Sequence, residues 1–300
     1  MAPPPKKYEA IHGIFLLDKP EGVTSNAALQ RVKRILAAKK AGHLGNLDPI
    51  ATGLLPICLG EATKFSQFVL EADKAYRVTA RLGVETTTGD TEGEVLSTAP
   101  VQVDEANVRA VLASFLGEIE QTPPMHSAVK HQGKALYHYA RAGVVVPRTA
   151  RKITIHQIEF QALENDQLHF WVSCSKGTYV RVLVEEIGKM LGCGAHVSSL
   201  ARTHAGCFSL EQAITLDELE AMDQDSRLAT LLPTDALLPA FPRLDLDSDH
   251  IYYLFRGQEV WKSQIREKGF VRLYDMNGLF LGLGEITSSG RIAPKRLVRI

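Results

Sequence analysis

Short strand-like runs and helical patches follow one another along this chain with no repeating βαβ rhythm, and that irregularity excludes most folds open to 300 residues. Gly13 to Leu17 is an apolar run of strand length, stopped by the turn-forming Asp18-Lys19-Pro20-Glu21-Gly22. Thr24 or Ser25 then offers a helix N-cap, and Ala28, Leu29, Val32, Ile35 and Leu36 recur at helical spacing. Tyr76, Val78, Ala80 and Leu82 alternate as one face of a strand, and Asp104 to Leu116 reads as a helix. Leu168 to Cys174 is a further strand, which Ser175-Lys176-Gly177 turns into a helix over Thr178 to Met190. A mixture of this kind points to an α+β fold rather than a doubly wound parallel sheet.

The length favours two domains, one of them small. Pro233, Pro239 and Phe241-Pro242-Arg243 mark a linker, so the larger domain is expected over 11–241 and a smaller one over 242–300. In the latter, Gly269 to Tyr274, Asn277-Gly278 and Leu279 to Gly284 give strand, hairpin turn and strand, as in a small β-barrel module. Residues 1–10 read as a disordered arm, with no apolar signal-peptide core. Apolar runs such as Gly53 to Leu59 and Val180 to Val184 fall far short of the ~20 residues a bilayer requires, so no membrane span is expected. Hydrophobic residues at 45% and charged residues at 23% exclude a fibrous or solvated chain.

Thirty-four basic against 34 acidic side chains cancel to zero, which by itself argues against a nucleic-acid partner. Followed along the chain, the charge is segregated. Arg31, Lys33, Arg34, Lys39 and Lys40 crowd one acid-free run, and Gln121 to Ile158 holds Lys130, Lys134, Arg141, Arg148, Arg151 and Lys152 with no acid. The last 50 residues are net positive by five, whereas Ala205 to Pro242 carries seven acids against Arg227 alone. Three basic segments in a neutral chain favour a polyanion partner. Four scattered cysteines suit a reducing cytoplasm. Cys193, His196, His204 and Cys207 are zinc-type ligands, but the seven residues between the pairs are fewer than the ~12 usual in finger sites, so no metal is expected.

The densest unusual stretch is Ala41-Gly42-His43-Leu44-Gly45-Asn46-Leu47-Asp48-Pro49-Ile50-Ala51-Thr52-Gly53. Its glycines permit tight backbone paths, and Pro49 biases Asp48 away from the α region, which would hold the carboxylate at a fixed loop position. On these residues alone, Asp48 as N-cap of a helix with Pro49 in its first turn is the favoured reading. No phosphate cradle is present, since neither GxxxxGK[ST] nor GxGxxG occurs here.

Gly42 to Gly53 resembles the catalytic motif of TruB-family tRNA pseudouridine synthases, G-H-x-G-x-L-D-P-x-A-x-G, and runs on similarly through Leu55 to Lys64. Further blocks resemble the family in order: Leu17-Asp18-Lys19-Pro20 with Gly22, Thr24 and Ser25; Lys74-Ala75-Tyr76; Cys174 to Arg181; and Gly192 to His196. The last residues, ending Gly290-Arg291-Ile292-Ala293-Pro294-Lys295, resemble the PUA-like RNA-binding domain that bacterial members append.

The resemblance implies a catalytic domain on a mixed, largely antiparallel sheet with flanking helices. It implies isomerisation of uridine to pseudouridine at position 55, in the T loop of tRNA, without cofactor or metal, by a stand-alone cytoplasmic monomer with no obligatory protein partner. Asp48 matches the family's nucleophile, acting on a uridine flipped out of its stack. Tyr76 matches the base-stacking tyrosine, Arg181 an arginine that pairs with the aspartate, His43 a residue that helps position the RNA, and Leu200 a pocket wall. Tyr179 lies on the same segment as Arg181, and both fall among the expected substrate-binding residues. Lys19 and Lys64 are expected as phosphate or scaffold contacts, and Lys130 and Arg141 as RNA contacts within a gripping insertion over 121–158.

Asn46, Thr87, His126 and Ala201 depart from the pattern and bear on fine RNA contacts, not on the reaction class. A tRNA-folding chaperone role beside or in place of catalysis, or the same chemistry on another RNA, are the alternative readings.

Overall fold

The computed structural model describes residues 10–263 and 266–299, so residues 1–9 of the expected N-terminal arm lie outside the described residues. No helix among the described residues is long and apolar enough to cross a membrane.

Ten strands form the main sheet: β1 (Gly13–Lys19), β2 (Ala41–His43), β3 (Ala51–Leu59), β4 (Lys74–Leu82), β5 (Gly117–Gln121), β6 (Arg151–Glu164), β7 (Gln167–Cys174), β8 (Ala195–Ala205), β9 (Phe208–Ser209) and β10 (Ile214–Thr215). They run in the order β10-β1-β3-β8-β4-β7-β6-β5, with β2 on β3 and β9 on β8. Only β1–β10 and β3–β8 pair in parallel; the other pairs are antiparallel. The sheet is thus mixed and largely antiparallel, within an α+β fold.

The continuous apolar run of β1 has a physical reason: both of its faces are buried. Phe15 and Leu17 join a core under the helices, while Ile14 and Leu16 join a second core on the opposite face. β3 divides likewise, with Leu55 and Ile57 on one side and Leu54 and Cys58 on the other. The first core is closed by α1 (Ser25–Ile35), α2 (Glu105–Ser114) and α3 (Val180–Met190), which bury Ala28, Leu29 and Val32, Val108 and Leu112, and Leu183, Val184 and Ile187. Thr24 caps α1 by accepting from the Ala27 amide, and Asp104 caps α2 by accepting from Asn107.

The second sheet has five strands, β11 (Arg243–Leu246), β12 (Val260–Trp261), β13 (Gly269–Asp275), β14 (Phe280–Ile286) and β15 (Arg291–Leu297), in the order β11-β13-β14-β15-β12. It curls as a half-barrel around its own core of Leu244, Leu246, Val271, Leu273, Leu281 and Ile292. The expected hairpin turns at Gly278, with Asp275 accepting from the Asn277 and Leu279 amides. Phe280, Leu283 and Val298 meanwhile pack into the second core of the main sheet. The segment expected as a linker is packed in place. Phe241 lies edge-on to Phe68 and Phe270, and the Pro242 carbonyl accepts from the Arg272 amide.

The N-cap reading of Asp48 is corrected. Asp48-Pro49-Ile50 is a turn closed by the Ala51 amide on the Asp48 carbonyl at 3.1 Å, and β3 begins at Ala51. A strand that satisfies its backbone on both sides, against β1 and β8, outweighs the local preference for a cap.

Candidate active site

The loop between β2 and β3 carries Asp48 to the mouth of a cavity of about 250 Å³ above the centre of the main sheet. Buried side chains from three directions fix the backbone around it. Ser25, at the start of α1, donates its hydroxyl to the Leu47 carbonyl and accepts from the Leu47 amide, both at 2.8 Å. Lys19 donates to the carbonyls of Pro20 at 2.8 Å, Val23 at 2.7 Å and Pro49 at 3.4 Å. Arg202, on β8, donates from Nη2 to Gly45 at 3.2 Å, from Nη1 to Asn46 at 3.3 Å and from Nε to Leu54 at 2.8 Å. The carbonyls on either side of Asp48 are therefore clamped while its side chain stays one-third exposed.

Gly53 makes the arrangement sterically feasible. At φ +92° it lies against Arg202, its partner in the β3–β8 register, and a Cβ there would stand 2.5 Å from the Arg202 carbonyl oxygen. Only glycine admits so close a backbone approach.

Arg181 rises from the first turn of α3, 5% exposed. Its Nε stands 3.1 Å from the Asp48 carboxylate, while Nη1 and Nη2 donate to the Thr88 and His126 carbonyls at 2.8 Å each. Asp90, 2% exposed, adds a carboxylate oxygen 3.6 Å from Nη1 and is itself bonded by the Thr88 hydroxyl and the Glu92 amide. The guanidinium is held on several sides, which fixes the direction from which it meets Asp48.

Tyr76 on β4 and Leu200 on β8 also line the cavity, as do Tyr179 and Val180. Tyr76 lies directly opposite Arg202 in the β8–β4 register with the guanidinium charge near its phenol, and burial raises its pKa. Tyr179 is oriented through its backbone, which exchanges two hydrogen bonds with the Gln121 side chain at 2.7 and 3.1 Å. Burial raises its pKa too, and Ser127 lies beside its hydroxyl.

The structure thus brings Asp48, Tyr76, Tyr179, Arg181 and Leu200 to one cavity. His43 is elsewhere: half-buried on β2, it is absent from the lining, and burial together with the nearby Arg202 charge lowers its pKa. Lys19, expected as a phosphate or scaffold contact, does not reach the surface. It is fully buried, with its donors spent on carbonyls, and desolvation pushes its pKa down to about 8. Lys64 is likewise engaged, pairing with Glu61 and donating to the Leu297 carbonyl at 2.8 Å. Lys130 is exposed on a short hairpin and Arg141 stands 5.5 Å from the Tyr137 ring, both outside the cavity lining.

The early basic helix does not stand free of acids. Arg31 forms a two-pronged pair with Glu220 at 2.8 and 2.9 Å, and Asp217 lies 3.6 Å away, so the acidic segment folds back onto α1. The two zinc-type pairs are held apart by β8. His196 and His204 are eight residues apart on an extended strand, about 26 Å, and His196 faces the Val84 carbonyl. Among the described residues no group of His, Cys, Asp or Glu is arranged to hold a metal ion.

Arg202, Asp90 and Ser25 escaped sequence reasoning as site residues. Ser25 sat inside a quoted block, whereas Thr87 and Ala201 near the other two were noted only as departures, and nothing in an isolated arginine, aspartate or serine announces burial.

Three family models match the chain in succession: the TruB family pseudouridylate synthase N-terminal domain over 33–180, the tRNA pseudouridylate synthase B C-terminal domain over 181–239, and the pseudouridine synthase II TruB C-terminal region over 242–298. Among curated relatives, tRNA pseudouridine synthase B of Methylobacillus flagellatus is 55% identical over 96% of both chains. The protein of the same name from Aromatoleum aromaticum is 53% identical over 96% of this chain and 93% of its own. The chain belongs to the TruB family of pseudouridine synthases. Solved structures agree in fold. In a Cbf5-Nop10-Gar1 complex the matching chain is 28% identical at a TM-score of 0.68, covering 92% of this chain and 78% of that one. In an archaeal box H/ACA Nop10-Cbf5 complex the figures are 24% and 0.70, covering 98% and 89%.

Proposed function

We propose that the protein converts uridine to pseudouridine at position 55 in the T loop of tRNA, with Asp48 as nucleophile. The observation that carries this reading is the Asp48 carboxylate, presented at a cavity mouth by a clamped loop and met by Arg181 Nε at 3.1 Å. Support for a tRNA substrate comes from the relatives named tRNA pseudouridine synthase B, which this chain matches over nearly its whole length.

The chemistry asks for what these residues offer. Uridine and pseudouridine are isomers: the N1–C1′ bond breaks, a C5–C1′ bond forms, the C5 proton leaves and N1 gains one. No oxidant or reductant is needed, so the reaction runs without a cofactor. A base inside a folded loop must leave its stack first. At about 250 Å³ the cavity is smaller than the roughly 300–1,000 Å³ of drug-sized pockets and suits one nucleobase. Tyr76 gives the flipped base a face to stack on, Leu200 walls the pocket, and Asp48 meets the ribose from the Arg181 side. Lys130, Arg141 and the rest of 121–158 grip the T stem through its phosphates, and the PUA-like module over 242–300 adds RNA contacts outside the cavity. On this reading the enzyme works as a cytoplasmic monomer on the T stem-loop, with no protein partner.

A structure with a T stem-loop carrying 5-fluorouridine at position 55 tests it. The expected result is an Asp48 oxygen bonded to, or within about 3.5 Å of, the ribose reaction centre, with Tyr76 stacked on the base. A base left in the loop stack, or seated away from Asp48, overturns it.

A further inference from the structure

Arg202 is an unusual residue to find where it is. It is 1% exposed and has no carboxylate within ion-pairing distance among the described residues, although buried guanidinium groups are ordinarily neutralised by an acid. An apolar side chain would fill the same space without that desolvation cost. The chain instead makes room for the charge. Gly45 leaves Nη1 where a Cβ would stand 3.3 Å from it, and Gly53 brings β3 onto the Arg202 backbone.

What the guanidinium touches divides into two groups. Three of its donors go to Gly45, Asn46 and Leu54, carbonyls on the segment that presents Asp48. Across the strands its neighbour is Tyr76, directly opposite in the β8–β4 register, with the guanidinium charge near the phenol. One rigid planar group therefore lies between the loop that carries the carboxylate and the strand residue that carries the Tyr76 ring.

We propose that Arg202 is a positioning residue for the isomerisation, acting through both the Asp48 loop and the Tyr76 phenol. This deepens the function proposed above and rests on it. An arginine has no acceptor, so any hydrogen bond it makes with the phenol is donated to the phenol oxygen, with the Tyr76 O–H turned away from the guanidinium. Tyr76 then offers the flipped uracil a stacking face and one directed donor. Lysine cannot replace this function, because its point charge lacks the fork that spans three carbonyls while facing the phenol.

The test uses the full-length enzyme with unmodified tRNA, comparing Arg202→Ala and Arg202→Lys with wild type by single-turnover rate and by tRNA affinity. For both variants the expected result is a rate loss of at least about 10-fold with tRNA affinity within about threefold. Added methylguanidinium partly restores the Arg202→Ala rate, and methylammonium does not. A wild-type rate in a folded Arg202→Lys protein, or a loss confined to tRNA affinity, overturns the proposal.

A second measurement serves where Arg202→Ala fails to fold, and it needs no activity: the ¹⁹F resonance of 3-fluorotyrosine installed at position 76. It is expected to move in Arg202→Lys, and an unmoved resonance overturns the contact with the phenol. Activity retained by Asp48→Asn would instead sink the nucleophile assignment, so the two failures are distinguishable.

Discussion

Replacing Gly53 by alanine is the sharpest steric test of how the site is built. The added Cβ would stand 2.5 Å from the Arg202 carbonyl oxygen, 2.9 Å from its amide nitrogen and 3.2 Å from its carbonyl carbon. All three are backbone atoms of the central sheet, so no side chain can swing aside. Reaching an ordinary contact of about 3.4 Å requires β3 and β8 to part by nearly 1 Å at this point. Two costs add: about 1–3 kcal/mol for a non-glycine residue at φ +92°, and about 1–3 kcal/mol for overpacking. Gly53→Ala should therefore lose about 2–6 kcal/mol in urea unfolding followed by circular dichroism.

Activity should suffer out of proportion, because β8 carries Arg202 and Leu200 with it. A shift of about 1 Å among reacting groups is worth on the order of 100-fold in rate. Single-turnover tritium release from tRNA labelled at C5 of uridine measures that rate. Gly290→Ala is the control. Its φ is +74° but nothing lies within 4 Å of the new Cβ, so it pays only the backbone cost and leaves the rate unchanged. Equal stabilities for the two variants, or a Gly53→Ala rate within twofold of wild type, would refute this account of the strand contact.

Lys19 gives a pH signature. Its folded pKa near 8 lies below the unfolded 10.5, so the unfolded chain binds more protons between those values and stability rises with pH across that window. The contribution is full above 10.5 and is lost as pH falls through 8; wild type should gain about 2 kcal/mol relative to Lys19→Met between pH 7.5 and pH 10 in urea titrations. Arg181→Leu should lose about 3–5 kcal/mol, since it strands the buried Asp90 carboxylate, and an Arg181→Leu/Asp90→Asn double variant should recover part of that loss in the same titration. Tyr274→Phe removes the 2.5 Å hydrogen bond to Asp235 that ties the two sheets' regions together, and should cost about 1–3 kcal/mol in thermal unfolding.

Local patterns in the sequence located what local forces decide. The alternation at Tyr76 to Leu82, the Thr24 cap and the Asn277-Gly278 turn all stand where the chain implies them, because strand faces, caps and tight turns depend on neighbours a few residues away. The motif around Asp48 drew attention to the right loop, yet its local physics suggested a helix cap, and only the flanking strands of a sheet assembled from distant segments reverse that.

The rest was hidden for one reason: burial of a charge is a property of tertiary contacts. Lys19 looks like any phosphate-binding lysine until Pro49 is seen within reach of its ammonium. Arg202 is indistinguishable from a surface arginine until β3 and β4 flank it. The separation of basic and acidic segments along the chain likewise says nothing of their distance in space, and Arg31 with Glu220 shows the two meeting.

The central claim, that Asp48 performs pseudouridine formation in the T loop, is tested most directly by carbodiimide-stop mapping of unmodified tRNA after incubation with the wild-type protein or with Asp48→Asn. The account predicts a single new stop reporting position 55 with wild type and none with Asp48→Asn. A stop at another position, or the same stop with both proteins, would contradict it.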